Sequence, residues 1–293
     1  MERNPLKATV LILTIGRDEE IKNLIKDLEG QKYVNFDIYI VYQGKNRNLE
    51  NNIVKKSLFK IIYTEKQQFT KLLNITINNI HSDIIIRIDD DVRISNKNFI
   101  YNHVKNYSNA KIGAVQGQVI NKEESVSKNK KTGIFSRLLK IQTKTNYNSD
   151  KKQYINALYG CNFSFRKDLF IKGIKFNEKI IGNNYFEETD FGLKIVKYEY
   201  KIIFEPNANL KHLQSSYGGA RLNDKKRWFY YYSYNYIQLI NANYSAVYLL
   251  QAILIIIGMS ILISIKNFNF NIGFHGIKGI SKSILSLQRR VQL

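Results

Sequence analysis

Between residues 8 and 88 the chain alternates short β-branched runs with stretches of helical period, and that rhythm admits few folds. Residues 8–13 and 37–42 read as strands, Asp18–Glu29 and residues 67–80 as helices, and Ile84–Ile88 as a further strand. This order predicts a largely parallel sheet with helices on its faces. Ligands of such sheets bind outside the carboxyl ends of the strands, so chemistry is expected at residues 14–17, 43–45 and 89–91. Residues 113–119 and 158–165 read as later strands, 186–198 as a helix and 202–204 as a short strand ending before Pro206. Residues 122–152, with nine basic and three acidic side chains, read as a polar connection containing a short helix near 134–141.

The other end of the chain has a different character. Residues 246–265, AVYLLQAILIIIGMSILISI, carry no charge, and about 20 such residues suffice to cross a bilayer core as a helix. Before them, the tyrosine-rich stretch 228–240 follows Lys225, Lys226 and Arg227 and reads as an interfacial helix. After them come five basic and no acidic residues, with Ile277, Ile280, Ile284 and Leu287 at helical spacing, an amphipathic tail suited to an anionic surface. Basic residues before the segment favour a cytoplasmic catalytic domain, but the basic tail conflicts with a single crossing, so a shallow hairpin in one leaflet is an open alternative. The expected division is a catalytic domain at 1–224 (halves 1–120 and 121–224), an interfacial helix at 225–243, and a membrane segment with tail at 244–293. No apolar run of signal-peptide length precedes the first strand, so export of the catalytic part is not expected.

The formal charge of +21 fits anionic lipid or phosphorylated substrates. No basic helix or aromatic-basic strand pattern accompanies it, so no nucleic-acid partner is expected. Cys161 is the sole cysteine, which excludes an internal disulfide and a cysteine metal cage.

Three carboxylates, Asp89, Asp90 and Asp91, end the apolar run IIIRI. Crowding them there is electrostatically unfavourable unless a cation compensates, and Mg²⁺ or Mn²⁺ prefers such oxygens and can bridge them to a diphosphate. A second acidic group, Glu187, Glu188 and Asp190, opens the helix predicted at 186–198, where the helix dipole favours negative charge. At about 100° per residue, Glu187 and Asp190 share a helix face and Glu188 points elsewhere. A strand and His212 follow.

In this order, TVLILTIGRDEE, LLNITINNIHSDIIIRIDDDV, GCNFSFRKDLFIKGIKFNEKIIGNNYFEETDFGLKI and YKIIFEPNANLKH make the chain resemble the family 2 inverting glycosyltransferases, from Ala8 to about Arg221. The resemblance implies a GT-A fold, an α/β Rossmann-like domain with a mixed, mainly parallel central sheet, here followed by the apolar membrane helix and amphipathic tail. It implies a nucleotide-sugar donor, a glycan or lipid-linked acceptor, a membrane location and Mn²⁺ or Mg²⁺ as cofactor. It assigns Asp89, Asp91 and His212 to the metal, and Thr14, Arg17, Gln43, Lys71, Asp89, Asp90 and Arg221 to the donor. Gly160, Asn162 and Asp190 fall on the acceptor side. Glu188 matches the general base, with Glu187 beside it. The loop Gly218, Gly219, Ala220 and Arg221 resembles a segment that closes over donor phosphates. Where many relatives carry base-reading aspartates, this chain has Val-Tyr-Gln-Gly, leaving Tyr42 and Gln43 in that place. A binding-only protein on the same fold would not need three acidic positions together with His212.

Overall fold

The computed structural model describes residues 5–43, 49, 58–65, 68–136, 138–215, 217 and 222–288. Its first half runs β1 (Ala8–Thr14), α1 (Asp18–Glu29), β2 (Phe36–Gln43), β3 (Phe59–Thr64), α2 (Phe69–Asn78) and β4 (Ile84–Ile88). There follow β5 (Val92–Arg93), α3 (Phe99–Val104), β6 (Ile112–Asn121), β7 (Ile134–Phe135), β8 (Gln142–Lys144), β9 (Gln153–Ile155), β10 (Asn162–Arg166), α4 (Asp168–Ile171), α5 (Glu187–Lys197) and β11 (Lys201–His212). Three helices come last: α6 (Lys225–Asn243), α7 (Ala246–Lys266) and α8 (Phe270–Gln288).

The main sheet has the order β3-β2-β1-β4-β10-β6-β11-β5, with β9 also on β11. The first four strands are mutually parallel, β10 runs antiparallel between β4 and β6, and β6 and β11 are parallel. Asn162 therefore starts β10 opposite Ile88, and His212 ends β11 opposite Asn121. The carboxyl ends of β1, β2, β4, β6 and β11 thus share one edge with the start of β10. Burial on both faces explains why β4 reads as an unbroken apolar run: Ile84, Ile85, Ile86 and Ile88 are all enclosed. α1 is amphipathic and sets Ile21, Leu24, Ile25 and Leu28 into the core.

Polar side chains knit the middle of the sheet. His103 lies between Ser164 and Asn162, 3.0 Å from each, and burial pushes its imidazole down to about 4, so it is neutral. The Asn162 amide donates to the carbonyls of Gln118 and Ala208, each at 2.9 Å. β11 extends well beyond the three residues expected, because a register shift between Glu205 and Leu210 absorbs Pro206 without ending the ladder. The helix expected near 134–141 is instead a hairpin of β7 and β8. Lys140, at its turn, has a left-handed backbone (φ 53°), and its ammonium sits 4.3 and 4.1 Å from the rings of Tyr244 and Tyr248.

α6 was expected at an interface with solvent and lipid, yet Phe229 and residues 233–240 are buried. One side of α6 meets the sheet domain: Asn235 exchanges hydrogen bonds with the backbone of Ile181, and the Tyr236 hydroxyl donates to the Lys140 carbonyl. The other side takes α8, whose Gly276 and Gly279 pack on Phe229 and the Tyr230 carbonyl; Gly273 packs on Ser260 and Ser264 of α7. Any larger residue at these three glycines would overlap its neighbour, so they set the spacing of the three-helix layer.

A Cβ at Gly117 would overlap both the Ala208 carbonyl and the Asn162 amide. Gly117→Ala is expected to destabilise the domain by about 1–3 kcal/mol, read as a lowered urea midpoint at unchanged m-value.

Candidate functional site

β4 delivers Asp89, Asp90 and Asp91 to the shared sheet edge, and each meets a different partner. Asp90 is buried and accepts from Arg17 at 2.6 Å; burial nevertheless pushes its carboxyl up to about 6. Asp91 is also buried. Burial raises its pKa, but His212, Arg17 and the Ser215 amide outweigh it and hold the carboxyl below its ordinary value. Asp89 remains about a third exposed, with its carboxylate open to the cleft. Thr14 closes β1 beside Asp90, and Gln43 ends β2 one residue past the Tyr42 that pairs with Thr14. Both Thr14 and Gln43 are buried, and the Tyr42 hydroxyl donates to Asp18 at 2.7 Å.

Asp89, Asp91 and His212 each offer one ligand atom, all within 4.8 Å of one another. His212 Nδ1 lies 3.2 Å from the side-chain oxygen of Asn121, and Nε2 faces Asp91 Oδ1 at 3.3 Å. An Nε2 proton donates to Asp91 and lowers it; with the ring proton on Nδ1, toward Asn121, the two facing atoms are both acceptors. A cation between them removes the conflict, so two carboxylates and an oriented imidazole fit a divalent metal. Sequence reading missed Asn121, whose role appears only when β6 and β11 are set in register.

The chain after β11 folds back over this cluster. Arg17 donates to the Tyr217 carbonyl at 2.8 Å, and the hydroxyls of Ser215 and Tyr217 both donate to Glu20 of α1. Residues 44–48, 66, 67, 216 and 218–221 lie outside the described residues, and with them the expected Lys45, Gly218, Gly219, Ala220 and Arg221.

On the other side of Asp89 stands the start of α5. Glu187 is buried and pairs with Arg87 at 2.7 Å; Glu188 is half-buried. Arg87 comes from the middle of β4, between the rings of Phe69 and Phe163, 3.9 Å from Asp89 and against Gly160. One guanidinium thus faces three carboxylates. Burial raises both glutamates; Arg87 pulls them down, Asp89 pushes both up, and Glu188 pushes Glu187 up further. Phe186 caps this helix in a left-handed backbone (φ 74°), which costs a non-glycine residue about 1–2 kcal/mol. Its buried ring, packed on Tyr185, Tyr232 and Tyr236, offsets that strain. Tyr185, whose hydroxyl is pushed up by burial and by the charge of Glu188, meets Trp228 edge-on at 5.9 Å.

The edge therefore gathers Thr14, Arg17, Gln43, Asp89, Asp90, Asp91, Gly160, Glu187, Glu188 and His212. Three expected residues stand apart. Asn162, at the start of β10, spends its amide within the sheet on the carbonyls of Gln118 and Ala208. Asp190 is buried against Lys194 at 2.6 Å and Asn243 at 2.7 Å, so it ties α5 to α6 and does not face an acceptor. Glu187 and Asp190, expected to share a face, are drawn to different partners. Lys71 is exposed in the first turn of α2.

The family model described as Glycosyl transferase family 2 matches residues 9–174, a span that holds the Asp89, Asp90 and Asp91 run but stops short of α5 and His212. No curated protein matches the chain. Among solved structures, the mannosyltransferase PcManGT from Pyrobaculum calidifontis, in complex with GDP-Man and Mn²⁺, is similar with a TM-score of 0.58. The identity is 12%, over 96% of this chain and 88% of that one. GalNAc-T7 with UDP, GalNAc and Mn²⁺ gives a TM-score of 0.60 at 14% identity, over 82% of this chain and 52% of that one. At such identities the likeness is one of fold.

Asn121→Ala frees the His212 ring, and is expected to weaken Mn²⁺ binding about 10–100-fold, as read by electron paramagnetic resonance titration of free Mn²⁺. Asp91→Asn should abolish measurable binding; unchanged affinity in both variants would remove the metal assignment.

Proposed function

The chain belongs to glycosyl transferase family 2, and from that membership we propose that it moves a sugar from a nucleotide-diphosphate donor to a hydroxyl of a glycan or lipid-linked acceptor, with inversion. One observation carries the reading: Asp89 belongs to the three-residue group that fits a metal and also acts on Glu188, a half-buried glutamate of raised pKa.

Asp89, Asp91 and His212 would hold Mn²⁺ or Mg²⁺, and a cation there neutralises a diphosphate leaving group. Arg17 fixes Asp90 and one oxygen of Asp91, which keeps the ligand set in place before the donor arrives. Thr14 and Gln43 line the edge where the nucleotide lies, with Gln43 able both to donate to and to accept from a base. Glu188 takes the proton from the acceptor hydroxyl as its oxygen bonds to the sugar C1, and the electron pair of the breaking C1–O bond leaves with the diphosphate. Glu187 is held by Arg87 and positions its neighbour. Tyr185 and Trp228 offer apolar ring surface to an acceptor sugar.

α7 is the one described helix long and apolar enough to cross a membrane. We assign the chain to a membrane surface, with the catalytic domain on the cytoplasmic side where Lys225, Lys226 and Arg227 favour it.

Glu188→Gln keeps shape and hydrogen bonding but removes basicity, so it is expected to lower turnover about 10²–10⁴-fold with donor affinity nearly unchanged. Glu187→Gln instead breaks a buried ion pair and is expected to lower the melting temperature; turnover loss confined to Glu187→Gln would reverse the assignment. Because Glu188 must be ionised and its pKa is raised, kcat/KM should fall as pH drops through a value above the ordinary glutamate range. Arg87 holds that pKa down, so Arg87→Gln should move the acid limb to higher pH, as pH–rate profiles will show.

A further inference from the structure

α7 and α8 turn an apolar face outward. Leu250, Leu254, Ile257, Ile261 and Ile265 recur at three- and four-residue spacing on one side of α7, and Phe270 and Phe274 of α8 are 80% and 53% exposed. The opposite sides, with Ile256 and Ser260 on α7 and Ile272 and Ile280 on α8, are packed inside the three-helix layer. α7 is apolar all round by composition and two-sided by packing.

Length alone lets α7 cross a bilayer, but its neighbours prevent it. α8 returns along α7, with Gly273 against Ser260 and Ser264, so hydrocarbon surrounding α7 would also enclose α8. Midway along α8 stands Lys278, with Lys282 one turn on, both exposed. A lysine at the centre of a membrane-spanning helix is strongly disfavoured. α6 adds a second bar, because Asn235, Tyr236 and Asn243 fasten it along its length to the catalytic domain. Gln251 of α7 is fastened there too, donating to the Leu138 carbonyl at 3.3 Å. A crossing of the layer would drag the sheet domain into lipid.

The charges lie where an anionic surface would meet them. From Lys225 to Leu293 the sequence has eight basic and no acidic residues. On α8, Lys278 and Lys282 border the exposed Phe270 and Phe274, and the Lys278 ammonium folds 4.7 Å over the Phe274 ring. An apolar stripe bordered by lysines whose stems run along it is the arrangement of a helix lying in the headgroup plane.

We propose that α7 and α8 form a hairpin lying flat in one leaflet of an anionic membrane, the stripe in the acyl region and the lysines among the headgroups. The inference rests on the membrane assignment above and replaces crossing with a monotopic seat.

Full-length protein, assayed for turnover without lipid, is mixed with vesicles of phosphatidylcholine alone or with phosphatidylglycerol added, and bound protein is recovered by flotation. Binding at least about tenfold tighter with phosphatidylglycerol is expected. Leu254→Glu and Phe274→Glu, both at exposed positions, should each weaken it by about tenfold or more with circular dichroism and lipid-free turnover unchanged. Asn271→Cys, beside the α7–α8 turn in a Cys161→Ser background, should react with an impermeant maleimide applied to the face of sealed membranes that carries the catalytic domain. Protection of that cysteine until the membranes are lysed would overturn the in-plane seat, and equal binding to both vesicles would overturn the anionic assignment. Failure to bind any vesicle while turnover persists would overturn membrane docking and leave the transferase reading standing; absence of turnover alongside lipid binding would do the reverse.

Discussion

Five carboxylates, Asp89, Asp90, Asp91, Glu187 and Glu188, converge on one sheet edge, and two buried arginines, Arg17 and Arg87, are what allow them to stay there. The compensation is incomplete by design of the charges present. Burial first, and repulsion among the acids second, raise Asp90, Glu187 and Glu188, and the acids outnumber the two guanidiniums in a place that attracts a cation. Placement of the arginines divides the labour. Arg17, from the start of α1, secures the aspartates; Arg87, from inside β4, secures Glu187, with Glu188 half-buried beside it.

α6 is the second shared part. Through Asn243 it holds Asp190 and so fixes α5, and through Tyr232 and Tyr236 it supports the strained Phe186 from which α5 begins. Its far side is covered by α8. The helix that positions the acidic pair is thus the same helix that carries the apolar hairpin, and neither end of the protein is an appendage of the other.

Much of this was legible in the residues. Period and length located β1, α1, β2, α2, β4, α5, α6 and α7 to within a few residues, since each buries a continuous face; of α8 only the helical spacing from Ile277 to Leu287 was read. β3 was passed over because Phe59–Thr64 is only partly buried and has no strong alternation. The β7–β8 hairpin read as a helix because its apolar residues fall at helical spacing, while its left-handed turn at Lys140 has no glycine to announce it. Asn162 and Asp190 lie in motifs that run through the site, but their side chains obey the pleat and the helix face and turn inward. Arg87 and Asn121 went unnoticed for the opposite reason. An arginine within an apolar strand and an asparagine at a strand end acquire meaning only from partners about a hundred residues away.

The glycines of α8 carry a consequence for how the protein is made. Gly273, Gly276 and Gly279 each weaken an isolated helix by about 1 kcal/mol relative to alanine, so α8 has little reason to coil until α6 and α7 offer their surfaces. It leaves the ribosome after both of them. During synthesis α7 therefore emerges before the partner that shields its inner side, and for that interval both of its sides are open to whatever recognises nascent apolar segments.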